Sequence, residues 1–119
     1  MSNTFMRFEA NPVAGMQPSN FTSPDSFTTS DTNEVNHFYF KTDNDSILTG
    51  VWESAPCKEE IPAYPAHELM TVISGSVTLT GTDGKSETFT AGDTFFVAKG
   101  TPLTWEITET LRKFYLIAE

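Results

Sequence analysis

From Val35 to the C-terminus, apolar residues come in short runs separated by turn-forming residues. No stretch keeps the three-and-four spacing that the buried face of a helix requires. The runs "VNHFYFK", "ILTGVWES", "HELMTVIS", "SVTLTGT", "SETFTA", "TFFVA", "LTWEIT" and "RKFYLI" predict about eight short strands, bounded by the residues that punctuate sheets. Within this part proline is confined to the connections, among them "APCKEEIPAYP". Asp83-Gly84 between "VTLTGT" and "KSETFT" is a hairpin signal, because a tight turn there wants positive φ. Many short strands at close spacing predict an all-β sandwich or closed barrel.

Alternation along one strand singles out a residue. In "HELMTVIS", Glu68, Met70 and Val72 project to one side, and His67, Leu69, Thr71 and Ile73 to the other. Both sides are largely apolar, which predicts a strand buried between layers. Glu68 is then out of place: a carboxylate on a buried face needs a partner or a ligand.

The chain divides near residue 35. Residues 1–34 contain "QPSNFTSPDSFTTSDTN", a composition that suggests a loop or arm. Phe5, Phe8, Val13, Met16, Phe21 and Phe27 are spaced along it as anchors. The expectation is an N-terminal arm over 1–34, packed on its own barrel or on a partner, and a β domain over 35–119. A chain of 119 residues suits one domain with a real core.

Charge and cysteine count narrow the classes. A net charge of −9 repels phosphate backbones, so no nucleic-acid partner is expected. The single cysteine, Cys57, excludes an intrachain disulfide and fits a reducing compartment. No apolar run is long enough to span a bilayer and the start resembles no signal peptide, so a soluble, cytoplasmic protein is expected. Walker, G-x-G-x-x-G, G-x-S-x-G and Cys-x-x-Cys motifs are all missing.

The segment "AGDTFFVAKGTPLTWEI" is mainly architecture. Gly92 and Gly100 permit turns that a side chain obstructs, Asp93 can accept bonds from turn amides, and Phe95 and Val97 share an inward face. Together with "ELMTVISG", "GVWES" and "LRKFYLI", this segment resembles the cupins. The stretches together resemble one branch in particular, the small single-domain group related to the (S)-ureidoglycine aminohydrolase domain and the ethanolamine-utilisation cupin. The resemblance runs over roughly residues 46 to 118. It implies a double-stranded β-helix, a jelly-roll barrel with its pocket inside.

Metal-binding cupins offer two histidines a residue apart, a glutamate, and a third histidine after the second motif. Three imidazoles and a carboxylate suit manganese, iron, nickel or zinc. Aligned on Glu68, the paired-histidine positions fall among Ile61 to Tyr64; aligned on the glycines, the third falls on Leu103. One ligand of four is present, so neither a tightly held metal nor any other cofactor is expected. His67 should point away from Glu68, and His37 lies on an earlier strand.

The candidate catalytic residues are Glu68, Tyr64 and Lys113. Glu68 can act as acid or base, or serve as a structural carboxylate paired with Lys113 or a tyrosine. Tyr64 lies near a ligand-histidine position and can hydrogen-bond in its place, or line the barrel mouth. Lys113 can bind a carboxylate or become a nucleophile, or form an ion pair with Glu53 or Glu68. The candidate ligand-binding residues are Trp52, Trp105, Tyr115 and Leu103. The tryptophans can form flat walls or simply pack in the core. Cys57 beside Lys58 is a weak nucleophile candidate, and "KEE" reads as a solvated loop.

The leading expectation is a metal-free cupin binding an amine- or carboxylate-bearing metabolite, with any catalysis being acid/base. The alternatives are a degenerate metalloenzyme of nitrogen-compound metabolism using Glu68 with His67 or His37, and a non-catalytic dimerisation module. Exposed jelly-roll edges, with an arm able to add a strand to a neighbour, lead to the expectation of a homodimer.

Overall fold

The structure is a computed structural model, described over residues 4–119. Its strands are β1 (Gln17–Pro18), β2 (Glu34–Lys41), β3 (Ile47–Ser54), β4 (Cys57–Ile61), β5 (His67–Thr80), β6 (Ser86–Thr90), β7 (Thr94–Val97) and β8 (Leu103–Ala118). One 3-10 turn covers Pro24–Ser26. Among the described residues no helix is long and apolar enough to cross a membrane.

Every pairing is antiparallel, and two long strands organise the rest. The first half of β5 lies between β7 and the second half of β8, which continues through β3 and β2 to β1. The second half of β5 lies between β6 and the first half of β8, which also pairs β4. Two sheets thus share β5 and β8 and close over a common core, the jelly-roll arrangement of a cupin barrel.

Sequence punctuation at the crossover is misleading. β5 was expected as two strands ending and restarting around Gly75, and β8 as two around "ETL". Instead the ladder runs through, with register irregularities between Val72 and Val77. Such bulges let a strand bend from one sheet to the next without ending. Gly75 sits at the bend with φ 81°, and a Cβ there would drive into the Thr110 carbonyl of β8. The close approach of the two strands therefore requires glycine. Gly92 and Gly100 also take positive φ, and Asp93 Oδ2 accepts from the Thr90 amide at 2.8 Å, as the turn reading of that segment expects.

Two expectations need correction. "KEE" is not a solvated loop but the middle of strand β4, in which Cys57, Glu59 and Ile61 turn inward while Lys58 and Glu60 stay exposed. β5 is not buried between layers. Glu68, Met70 and Val72 are buried, but Leu69 on the outer face is 45% exposed, because nothing packs over that part of the sheet.

The arm lies on its own barrel. β1 pairs with β2, Phe8 stacks on Tyr39 at 4.6 Å and tilts against Phe114, and Arg112 reaches Ala10 and Asn11. This covers the outer side of Val51, which is fully buried.

Candidate functional site

Alternation on three inner strands brings the chemistry together. Glu68 on β5, Lys113 and Tyr115 on β8, and Trp52 on β3 all face the interior, where Trp52 pairs in register with Lys113. Trp105 enters from the other sheet, and Tyr64 from the loop before β5. Tyr64 is fixed because its backbone exchanges hydrogen bonds with Gly100 and Thr101 of the glycine turn.

Glu68 is the centre of a short polar chain. The Tyr64 hydroxyl donates to Oε1 at 2.6 Å and the Lys113 ammonium donates to Oε2 at 2.6 Å. Glu68 and Lys113 are 6% and 5% exposed, so this is a buried ion pair. Lys113 Nζ also contacts Met70 Sδ at 3.0 Å and stands 4.9 Å from the ring centres of both Trp52 and Trp105. The indole faces stabilise the cation electrostatically where water is scarce.

Both tyrosines stay neutral. Burial, then the Glu68 charge, pushes the Tyr64 phenol far above its ordinary range. Burial pushes Tyr115 up to about 12, although its hydrogen bond to Asn36 Oδ1 at 2.7 Å works against the shift. Tyr64 therefore serves as a donor that orients the Glu68 carboxylate.

Two adjoining cavities open on this chain. One of about 280 Å³ is walled by Phe21, Trp52, Glu59, Tyr64, Trp105 and Lys113. The other, about 80 Å³, is walled by Phe21, Trp52, Glu68, Lys113 and Tyr115 with Ile117. A larger depression of about 440 Å³ lies away from this chemistry, between the ends of β4, β5 and β8. Leu103 borders that depression and is not among the residues walling the cavities around Lys113, contrary to its expected role.

Three residues of the site, Glu34, Asn36 and Glu59, do not stand out in the sequence. Glu34 is buried and accepts hydrogen bonds from Ser19 Oγ, the Phe21 amide, the Thr22 amide and Trp52 Nε1, each at 2.9 Å. It ties the strap Ser19–Thr22 to one wall of the site, with Phe21 at the mouth of both cavities. Asn36 holds Tyr115. Glu59 is a carboxylate in the wall of the larger cavity, and burial raises its pKa, opposed by hydrogen bonds from Ser23 and Ser26. A polar residue at every second position of an inward face (Glu34, Asn36) mimics a solvated face, which is why alternation alone hid them.

The remaining candidates lie elsewhere. His67 is exposed, accepts the Lys99 amide and stacks on Phe96, while His37 meets Tyr39 edge-on beside the arm. Neither shares the interior with Glu68. Glu53 pairs with Arg112, not Lys113. Burial, then the charge of Glu59, pushes the fully buried Cys57 thiol up to about 11, which withholds the thiolate a nucleophile requires.

These residues do not fit a cupin metal. Both oxygens of Glu68 are engaged, one by an ammonium, and neither residues 61–64 nor Leu103, where the resemblance places the imidazoles, supplies a histidine. Among the described residues no three of His, Cys, Asp and Glu converge.

Residues 42–115 match the family model described as the EutQ-like cupin domain. A protein of unknown function of the DUF861 family from Pseudomonas syringae pv. tomato str. DC3000 is 32% identical in sequence, with a TM-score of 0.80, over 93% of this chain and 46% of that one. This chain thus spans about half of that protein's length. The EutQ protein of Clostridium difficile superposes with a TM-score of 0.64 at 20% identity, over 86% of this chain and 79% of that one. A DUF861 family protein from Thermotoga maritima is 29% identical, with a TM-score of 0.50, over 55% and 73% respectively. No curated protein matches the sequence.

Proposed function

The chain belongs to the EutQ-like cupin domain family, and on that premise we propose that it binds a small polar metabolite inside the barrel, with an oxygen of the ligand against Lys113. The carrying observation is the position of that ammonium. It lines both cavities between two indole faces, and its contacts with Glu68 and Met70 account for two of its three hydrogens. A carboxylate or carbonyl oxygen satisfies the third. An amine entering the same place meets a like charge.

Glu59 gives the larger cavity a second pole. A metabolite with an inward oxygen and an outward amine matches Lys113 and Glu59 together, with Trp52 and Trp105 as its flat walls. A combined space of this size is at the lower end of small-molecule pockets, roughly 300 Å³, and suits a compact ligand. Acid/base turnover would use the Glu68–Lys113 pair, with Tyr64 positioning Glu68. Aminohydrolase-like chemistry is not carried over, because the metal it relies on in the resembling enzymes has no matching donor set here.

Calorimetry and thermal shift with small carboxylates and carbonyl compounds, set against simple amines, test this reading. The expected result is stabilisation of the parent protein by oxygen ligands and its loss in Lys113→Met. No response to any such compound, or an undiminished response in Lys113→Met, would overturn it.

A second observation favours assembly. Phe96, Leu69 and Leu116 are adjacent in register on the outer face of β7, β5 and β8, all well exposed. In a protein of charge −9 this uncharged patch is where two copies can meet without like charges opposing. The proposed homodimer uses this face. Light scattering of Leu69→Glu should give monomer where the parent gives dimer; a monomeric parent removes the proposal.

A further inference from the structure

Of five lysines, Lys41, Lys58, Lys85 and Lys99 are exposed, and Lys113 alone is buried. A buried ion pair is a poor stabiliser, often no better than well-packed apolar residues of similar volume. Here the pair also borders space that a small molecule can enter. A desolvated amine at a pocket wall is an arrangement that covalent lysine nucleophiles use, and here Glu68 Oε2 stands close enough to take its proton.

We propose that Lys113 forms a Schiff base with a small aldehyde or ketone, an inference that rests on the small-molecule reading of the same site. Lys113 passes one proton to Glu68 Oε2 across the 2.6 Å hydrogen bond. The freed lone pair bonds to the carbonyl carbon, and the carbonyl π pair moves to oxygen. A second proton shifts from the nitrogen to that oxygen, giving a neutral carbinolamine. Glu68 then returns its proton to the hydroxyl, which leaves as water while the nitrogen lone pair closes the C=N bond. Ammonium and carbonyl become iminium and water, with no change in net charge and no redox partner.

The surroundings suit both ends of this sequence. The resting ammonium and the product iminium are both cations, so Glu68 and the indoles of Trp52 and Trp105 hold each of them. The neutral amine exists only in between. Tyr64 is a positioning residue: by donating to Oε1 it leaves Oε2 directed at the amine. The Glu59 carboxylate in the cavity wall favours an uncharged electrophile over an anionic one.

Acetaldehyde and acetone, each with cyanoborohydride, are the probes. Mass spectrometry should find Lys113 carrying the mass of the probe less one oxygen atom, at probe concentrations that leave Lys41, Lys58, Lys85 and Lys99 unmodified. The label should vanish in Lys113→Arg, which keeps a cation beside Glu68, and accumulate more slowly in Glu68→Gln. Should Lys113→Arg fail to fold, the double variant Lys113→Met, Glu68→Gln removes both charges and must also lose the label. Labelling of the exposed lysines with Lys113 untouched would overturn the proposal. Calorimetry of the same probes without reductant separates the two readings. Binding without trapping sinks the covalent step alone, and neither binding nor trapping sinks both.

Discussion

Arg112 and Lys113 are neighbours on one strand, and each pairs with a glutamate, yet they serve opposite sides of the wall. Lys113 turns inward to Glu68, at 2.6 Å, with side chains 6% and 8% exposed. Arg112 turns outward to Glu53, at 3.0 Å, with side chains 17% and 24% exposed, and its guanidinium also reaches the arm at Ala10 and Asn11. The planar, multi-donor guanidinium stands where several acceptors must be gathered to hold a strap down. The compact ammonium, with donors to spare, stands where a cavity opens. One residue step converts an ion pair that fastens the fold into one placed to meet a ligand.

The sharpest break in this comparison is Lys113→Ala. It strands the Glu68 carboxylate in the interior and should cost about 3–5 kcal/mol of folding stability in chemical denaturation. Lys113→Met combined with Glu68→Gln removes the stranded charge and should recover most of that loss while still abolishing ligand binding. A double variant as unstable as Lys113→Ala would mean that the pair holds the barrel together, making it the inner counterpart of Arg112–Glu53 rather than its contrast.

Much of this contrast could be read from the chain. Alternation in "HELMTVIS" set Glu68 on one side with Met70 and Val72 without fixing which side looks inward, and its pairing with Lys113 was one of the alternatives the residues left open. Arg112 as the partner of Glu53 was not legible, because alternation separates the two cations by face but does not give the register that sets Glu53 across from Arg112. Nor was the strap: Ser19–Thr22 sits in a polar stretch with no period, and its place depends on Glu34, a contact across fifteen residues of chain. Strand β4 was hidden because "CKEEI" has only five residues and charged outward positions. The continuity of β5 and β8 was hidden because a bulged crossover and a turn use the same residues.

Glu34→Ala tests the strap from its buried end. The substitution orphans Trp52 Nε1 and two strap amides, at about 1–3 kcal/mol for each group that stays buried. Because the amides regain water if the strap peels away, the net loss should be near the cost of the indole alone, about 2 kcal/mol. Hydrogen exchange should show the Phe21 and Thr22 amides opening far faster than those of β3. Unchanged protection there would mean that something other than Glu34 holds the strap over the cavities.

Arg112→Ala should be milder. A partly exposed pair is screened by solvent and contributes about 1 kcal/mol or less, with a further small loss as Ala10 and Asn11 come free. Added salt should narrow the difference from the parent, since such pairs are weakened by ionic strength. Ligand binding at Lys113 should be unaffected, because Arg112 lies on the opposite face. If binding falls along with stability, the two sides of the strand are coupled and the contrast between them weakens.

The smallest effect is expected at Glu59, and it distinguishes fold from site by its dependence on pH. Burial raises the pKa of this carboxyl, so the folded protein holds its proton to higher pH than the unfolded chain does. The stability this contributes is fully present below the ordinary carboxylate pKa of about 4.3 and is lost as pH rises through the raised value. Glu59→Gln removes the dependence. The variant should match the parent in acid and be slightly more stable near neutral pH, as read from paired denaturation curves across that window. The same change removes a carboxylate from the wall of the larger cavity, so anionic ligands of Lys113 should bind more tightly and zwitterionic ones less tightly. A stability gap that widens in acid would mean that the bonds from Ser23 and Ser26 outweigh the desolvation of the charge.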